Sequence, residues 1–266
     1  MSKKNNYGID RYIPANIKRE VRQRCRFGCV ICGFPIYEYE HFNPEFKDLR
    51  EDHKAKGITL LCPNCHTQKT NGTLPVENVI EANENPFCIN TKYLEGKFYL
   101  KKEGNPIIKF AGSTYTNLKS VINIGNTSIL SISKSDNKYE PFLLSGIFYD
   151  TSSKMSLLIN QNNWISNTNQ WDIEKVGSGI TIREAHSKVV LDIKINKNKE
   201  IIIDRLQMQY KNIFLDGDKE SLKIYDNNRM ILDISNCNMS NGGVGIQIGN
   251  ENGKAINSTI NFTIKN

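Results

Sequence analysis

The apolar positions change their period once along the chain. In residues 13–25 they recur at helical spacing, with Ile17 and Val21 at i, i+4. Lys18, Arg19, Arg22 and Arg24 fill the other positions of that predicted helix. Leu74-Pro-Val-Glu-Asn-Val-Ile-Glu-Ala-Asn83 predicts a second, short helix that ends before Asn85-Pro86. Beyond residue 96 the period is two. Residues 189–196 alternate, which sets Val189, Leu191, Ile193 and Ile195 on one face. Asn196-Lys-Asn-Lys199 then turns the chain into Glu200-Ile-Ile-Ile-Asp204, a hairpin signal. Residues 178–183, 221–225, 230–235 and 259–264 behave alike, separated by Asn-, Gly- and Ser-rich stretches. Short strands at roughly 8–12-residue spacing predict an all-β region, either a sandwich or a β-roll with solenoid-like rungs.

Composition narrows the class. The 266 residues are 38% hydrophobic with a mean hydropathy of −0.48. No apolar run approaches the roughly 20 residues of a spanning helix, so no membrane association is expected. The first residues lack an apolar stretch behind their positive charges, and a cytoplasmic location is the expectation. A net charge of +7 permits a polyanionic partner without demanding one. That charge is uneven. Residues 1–75 hold 13 Lys/Arg against 8 Asp/Glu, five of the seven cysteines and three of the four histidines. Residues 76–266 hold 22 against 20. The expected organisation is a chemically dense domain over 1–75, a linker with a short helix over 76–95, and the β domain over 96–266. The fold class is α+β.

Cys29-Val-Ile-Cys32 and Cys62-Pro-Asn-Cys65 are two CxxC pairs with 29 residues between them. A tight turn aims both sulfurs of such a pair at one ion, and two pairs complete the thiolate tetrahedron of a structural Zn²⁺ site. Buried free thiols give no reason for matched pairs. A redox role would need a βαβ context that is absent from the pattern. Cys25, without a matching partner, reads as a packed helix residue.

Between the pairs lie Tyr37-Glu-Tyr-Glu-His-Phe42, a charged loop over 43–57, and the apolar strand Ile58-Thr-Leu-Leu61. Cys62-Pro-Asn-Cys-His66 then opens a helix that Gly72 is placed to stop. The combination CxxCG, Glu40-His41, Leu60-Leu-Cys-Pro-Asn-Cys-His66 and a trailing Lys69 resembles the HNH endonucleases, over about residues 14–72. These have a ββα-metal active site, here in the zinc-bearing form. The resemblance implies a small N-terminal nuclease domain in which His41 is the general base. It makes Glu40 and His66 the protein ligands of a second, catalytic cation, Mg²⁺ or Mn²⁺. Imidazole has the unperturbed pKa suited to deprotonating water near neutral pH, and a divalent ion supplies charge at the phosphate. Lys69, one turn beyond His66, is placed to reach the phosphate. With Lys18, Arg22, Arg24 and Arg26 it forms the expected DNA-contacting set, against the alternative of an ordinary solvated basic face.

Two features depart from the pattern. In a regular strand Glu40 and His41 face opposite sides, so the site calls for the strand to break there, with Pro44 marking an early end. Gly57 stands where the family carries its middle Asn, and His53 either substitutes for it or is a solvated loop residue. His186 reads as structural.

Nothing beyond residue 96 names a reaction. Trp164 and Trp171 are expected to pack rather than stack on bases. Asp172, Glu174, Arg183 and Glu184 read as a solvated charge cluster. With +2 over its length the β domain is a poor stand-alone DNA binder, and its expected roles are self-association, targeting or docking a regulatory protein. The functional expectation is a metal-dependent DNA endonuclease, by analogy one of bacterial anti-phage or restriction defence. The alternative is a non-catalytic, zinc-stabilised module that binds nucleic acid or protein.

Overall fold

The computed structural model describes residues 4–100, 103–198, 200–249 and 258–262. The chain divides into two compact units, Met1–Gly96 with Asn167–Gly177, and Lys97–Ser166 with Ser178–Asn266. The boundary thus differs from the expected one. Residues 76–95, expected as a linker, belong to the first unit, with Val79 in its core. An eleven-residue segment from the middle of the β-rich sequence belongs to the cysteine-rich unit as well.

In the first unit α1 (Ala15–Arg24) buries Val21 and packs Ile17 against the core. Arg26 and Phe27, both at positive φ, end the helix and reverse the chain into the first cysteine pair. Strand β1 (Glu38–His41) pairs antiparallel with β2 (Ile58–Leu61), whose four residues are all buried. Helix α2 (Pro63–Thr70) follows at once, with Pro63 at its first position and the Cys62 sulfur accepting the Cys65 N–H. Gly72, at φ +75°, terminates it as expected. Helices α3 (Val76–Glu84) and α4 (Phe87–Thr91) and strand β3 (Tyr93–Lys97) carry the chain onward.

The inserted segment explains a failed expectation. Asp172 is fully buried, not solvated, and holds Arg22 of α1 through two bonds of 2.9 and 2.7 Å. The same guanidinium donates to Glu174 at 3.0 Å and to the Tyr39 hydroxyl at 2.9 Å. Gln23 donates to the Trp171 carbonyl, and the Arg19 guanidinium lies over the Trp171 ring. Burial alone would lower the pKa of Arg22, but the Asp172 hydrogen bonds reverse this and hold it above its ordinary value.

The second unit is a mixed sheet dominated by hairpins. Strands β4 (Ile107–Phe110), β5 (Ser113–Ile124), β6 (Thr127–Lys134), β7 (Phe142–Tyr149), β8 (Met155–Asn160) and β9 (Asn163–Asn167) form one antiparallel meander. The strand Asp172–Val176 is β10. A second meander contains β11 (Gly179–Ala185), β12 (Lys188–Ile195), β13 (Ile201–Tyr210), β14 (Ile213–Gly217), β15 (Ser221–Asp226) and β16 (Arg229–Ser235). The two join where β13 runs parallel to β4. Strand β17 (Asn238–Ile248) runs parallel to both β5 and β18 (Ser258–Phe262). The predicted strands are present, although Thr263 and Ile264 of the last lie outside the described residues.

One detail is corrected. A register shift between β11 and β12 lets Val190 as well as Leu191 face the core, leaving Val189 half-buried. Trp164 is buried in this unit, as expected of a packing residue. Glu184 is bonded to Thr151 and Lys188. His186 is exposed, beside Ser187. Among the described residues no helix is long and apolar enough to cross a membrane.

Candidate metal centre and active site

The Sγ atoms of Cys29, Cys32, Cys62 and Cys65 all lie within 4.8 Å of one another. Cys32 is 3.7 Å from Cys62 and 3.9 Å from Cys65. A tetrahedral Zn²⁺ with bonds of about 2.3 Å has sulfur–sulfur edges of about 3.8 Å, so the four thiols fit that ion. Local turns set them. The Gly33 N–H bonds the Cys29 carbonyl at 2.8 Å, in a left-handed turn where a Cβ would come within 2.6 Å of the Phe87 ring. Cys62 and Cys65 sit on the first turn of α2. This is the one group of three or more metal-ligating side chains among the described residues. Cys25 is apart from it, buried, with its sulfur 3.7 Å from the Thr59 hydroxyl.

Beside the cysteines, β1 and α2 bring Glu40, His66 and Lys69 together. His66 Nε2 donates to Glu40 Oε2 at 2.9 Å, and its Nδ1 is 3.5 Å from Glu38 Oε2. Lys69 Nζ bridges Glu40 at 2.7 Å and Glu45 at 3.1 Å. Burial opposes the charge on Lys69, but the two carboxylates outweigh it and raise its pKa. Glu38 and Glu45 were not singled out from the sequence. The period-two spacing of Glu38 and Glu40 was the available signal for the former.

His41 stands elsewhere. The expected break in the strand does not occur: β1 stays paired through Glu40↔Thr59 and His41↔Ile58, so the two side chains diverge. The chain leaves the ladder only afterwards, where Phe42 and Asn43 both donate to the Gly57 carbonyl. On its own face His41 is 7% exposed and packs against Phe46 and His53, with ring centroids at 5.4 and 5.0 Å. His41 Nε2 lies 2.9 Å from His53 Nδ1, and His53 Nε2 lies 2.8 Å from the Asp10 carbonyl.

A carbonyl only accepts, so His53 carries its proton on Nε2. With both rings neutral, His53 Nδ1 accepts, His41 Nε2 donates, and the basic lone pair of His41 is on Nδ1. Burial and the neighbouring His53 push the His41 pKa down to about 4, which keeps the ring neutral at pH 7. His53 is therefore a buried, bonded residue and not a solvated one. The residues around it are pinned from the N-terminal side. Asn5 donates to the Phe46 and Leu49 carbonyls, and the Arg11 guanidinium covers the Phe46 ring.

Gly57 has a steric reason to be there. A Cβ would sit 2.4 Å from the Asn43 carbonyl oxygen, so an Asn at this position does not fit the loop.

The expected DNA-contacting set divides. Arg22 is corrected: at 4% exposure and bonded to Asp172 it is unavailable to a phosphate. Arg24 is committed to the Ala55 and Ile58 carbonyls and to Asn83. The Lys18 ammonium lies over the rings of Tyr12 and Tyr39, and Arg26 is half-exposed at the helix end. Lys69 is largely covered by its two carboxylates. Comparison with family models, curated proteins and solved structures finds no match.

Proposed function

We propose that the chain is a metal-dependent endonuclease that hydrolyses phosphodiester bonds in DNA, in the manner of the HNH enzymes its motifs resemble. The observation that carries this reading is the Glu40–His66–Lys69 cluster, held against a four-cysteine zinc site by one strand and one helix. An isolated surface ion pair would not need that framing.

The neutral His41 acts as general base at Nδ1, taking a proton from the attacking water. The resulting imidazolium keeps its Nε2–H bond to His53, which is anchored in turn on the Asp10 carbonyl. The P–O3′ bond breaks as water adds, and the departing oxygen takes a proton from solvent. Glu40 and His66 would hold Mg²⁺ or Mn²⁺, an ion that supplies positive charge at the phosphate and leaving oxygen. Lys69 holds the Glu40 carboxylate in place beside His66.

A plasmid assay with Mg²⁺ or Mn²⁺ tests the reading. Wild type is expected to nick or linearise the DNA, and His41→Ala to lose cleavage while retaining its zinc. Equal cleavage by both, or none by wild type across a metal series, removes the mechanism.

A second reading has its own support. Glu40 and His41 face opposite sides of β1, and Lys69 already neutralises Glu40. A zinc-stabilised module that binds nucleic acid or protein without cutting it would tolerate both features. DNA binding without turnover under any metal favours that module.

A further inference from the structure

His41 borders a cavity of about 600 Å³ in the first unit, lined by neither the four cysteines nor the Glu40–His66–Lys69 cluster. It lies between the end of β1, the 43–57 loop and helix α3. We infer that this cavity receives one unstacked nucleobase of the DNA strand being cut, which makes single-stranded or locally unpaired DNA the preferred substrate. The inference rests on the nuclease reading and adds the substrate class to it.

Size and wall chemistry both point to a base. The volume falls within the range of about 300–1,000 Å³ that encloses a small ligand. Phe42 and Ile80 give apolar wall to the faces of a ring. Asn83 offers its amide edge with the orientation fixed, because Oδ1 accepts from Arg24 at 3.1 Å and the NH₂ is left to donate. Arg24 also ties the Ala55 and Ile58 carbonyls at the end of the loop, so loop and helix are cross-braced. Such bracing is the condition for a preformed pocket.

The charges favour a base over a phosphate. Four carboxylates and three basic side chains line the cavity, a balance that repels a polyanion and accepts a neutral polar ring. The backbone therefore stays at the mouth. A base seated inside would bring its flanking phosphate beside His41, the proposed general base. Extracting a base from a duplex costs a few kcal/mol, a cost that an unpaired strand avoids.

The test uses the full-length, zinc-loaded protein without added catalytic cation, so that binding proceeds without cleavage. Oligonucleotides carry 2-aminopurine at successive positions, a probe whose emission rises when it unstacks. One position is expected to brighten severalfold on complex formation, and single strands to bind about 10–100-fold more tightly than the matching duplex. Glu84→Trp closes the mouth from an exposed helix position, and Ile80→Phe fills the cavity from the wall. Each is expected to abolish the brightening with zinc content unchanged.

No bright position in a complex that anisotropy shows to be formed overturns the inference, as does wild-type brightening in both variants. Plasmid cleavage with a flat 2-aminopurine signal removes the pocket's role alone. Absence of both complex and cleavage removes the nuclease reading, and this inference with it.

Discussion

Arg22 and Asp172 give the sharpest test of how the first unit is held together. Side chains 150 residues apart meet in a bidentate pair, with Arg22 4% exposed and Asp172 fully buried. An exposed pair of this kind contributes about 0–1 kcal/mol, whereas removing one partner of a buried pair costs about 3–5 kcal/mol. Asp172→Ala leaves the guanidinium buried with only Tyr39 and the partly exposed Glu174, and the upper range applies. Arg22→Met withdraws two short hydrogen bonds from a carboxylate with no solvent contact, and a similar loss is expected. The double variant Arg22→Met/Asp172→Leu removes both charges and fills their space, so it should cost well under the sum of the two. Urea unfolding followed by Trp171 fluorescence reads this unit, because Trp171 is in the inserted segment beside Arg19. A shared Trp164→Phe background silences the tryptophan of the other unit. Single-variant losses below about 1 kcal/mol, or strict additivity in the double, would refute the buried-pair argument.

Four further outcomes are expected. Cys62→Ser should lower bound zinc from one per chain to none and unfold the first unit, as read by metal analysis together with Trp171 emission. His53→Ala should lower plasmid cleavage about 10–100-fold by releasing the His41 ring, with zinc content unchanged; undiminished cleavage would show that the bond has no role. The folded protein holds His41 at about 4 against 6.5 for the free side chain, so the unfolded chain binds the extra proton between these values. Stability from this group is complete above pH 6.5 and lost as pH falls toward 4, about 3 kcal/mol in all, so wild type should lose that much more than His41→Gln over the interval. Gly57→Asn should destabilise the protein by about 1–3 kcal/mol in thermal unfolding, because the new Cβ has only 2.4 Å to the Asn43 oxygen.

Much of the first unit was legible because its signals are local. The CxxC pairs, the buried run Ile58–Leu61, Pro63 opening α2 and Gly72 closing it each act within a few residues of themselves. The period-two stretches gave most of the strands for the same reason. The failure at Val190 is also local in origin but needs a partner to see: a bulge arises from the register of β11 against β12, and one strand's pattern cannot show it. The parallel pairings of β13 with β4 and of β17 with β5 join residues about 90 and 124 apart, and no turn signal encodes them.

The basic face of α1 shows how far the limit reaches into function. Lys18, Arg22 and Arg24 are equivalent in a helical pattern, yet one covers aromatic rings, one is buried on Asp172 and one clamps loop carbonyls. Charge in sequence measures what is available to a phosphate only if no carboxylate from a distant segment claims it first. Here Asp172 and Glu174 do, and the apparent +5 of residues 1–75 overstates the free positive surface. Lys69 is covered in the same way by Glu40 and Glu45. A DNA strand approaching this unit therefore meets less cationic surface than the composition implies. Recognition would then depend less on phosphate charge than on what the strand can insert. On the proposed reading, the cavity beside His41 is where such a group would enter.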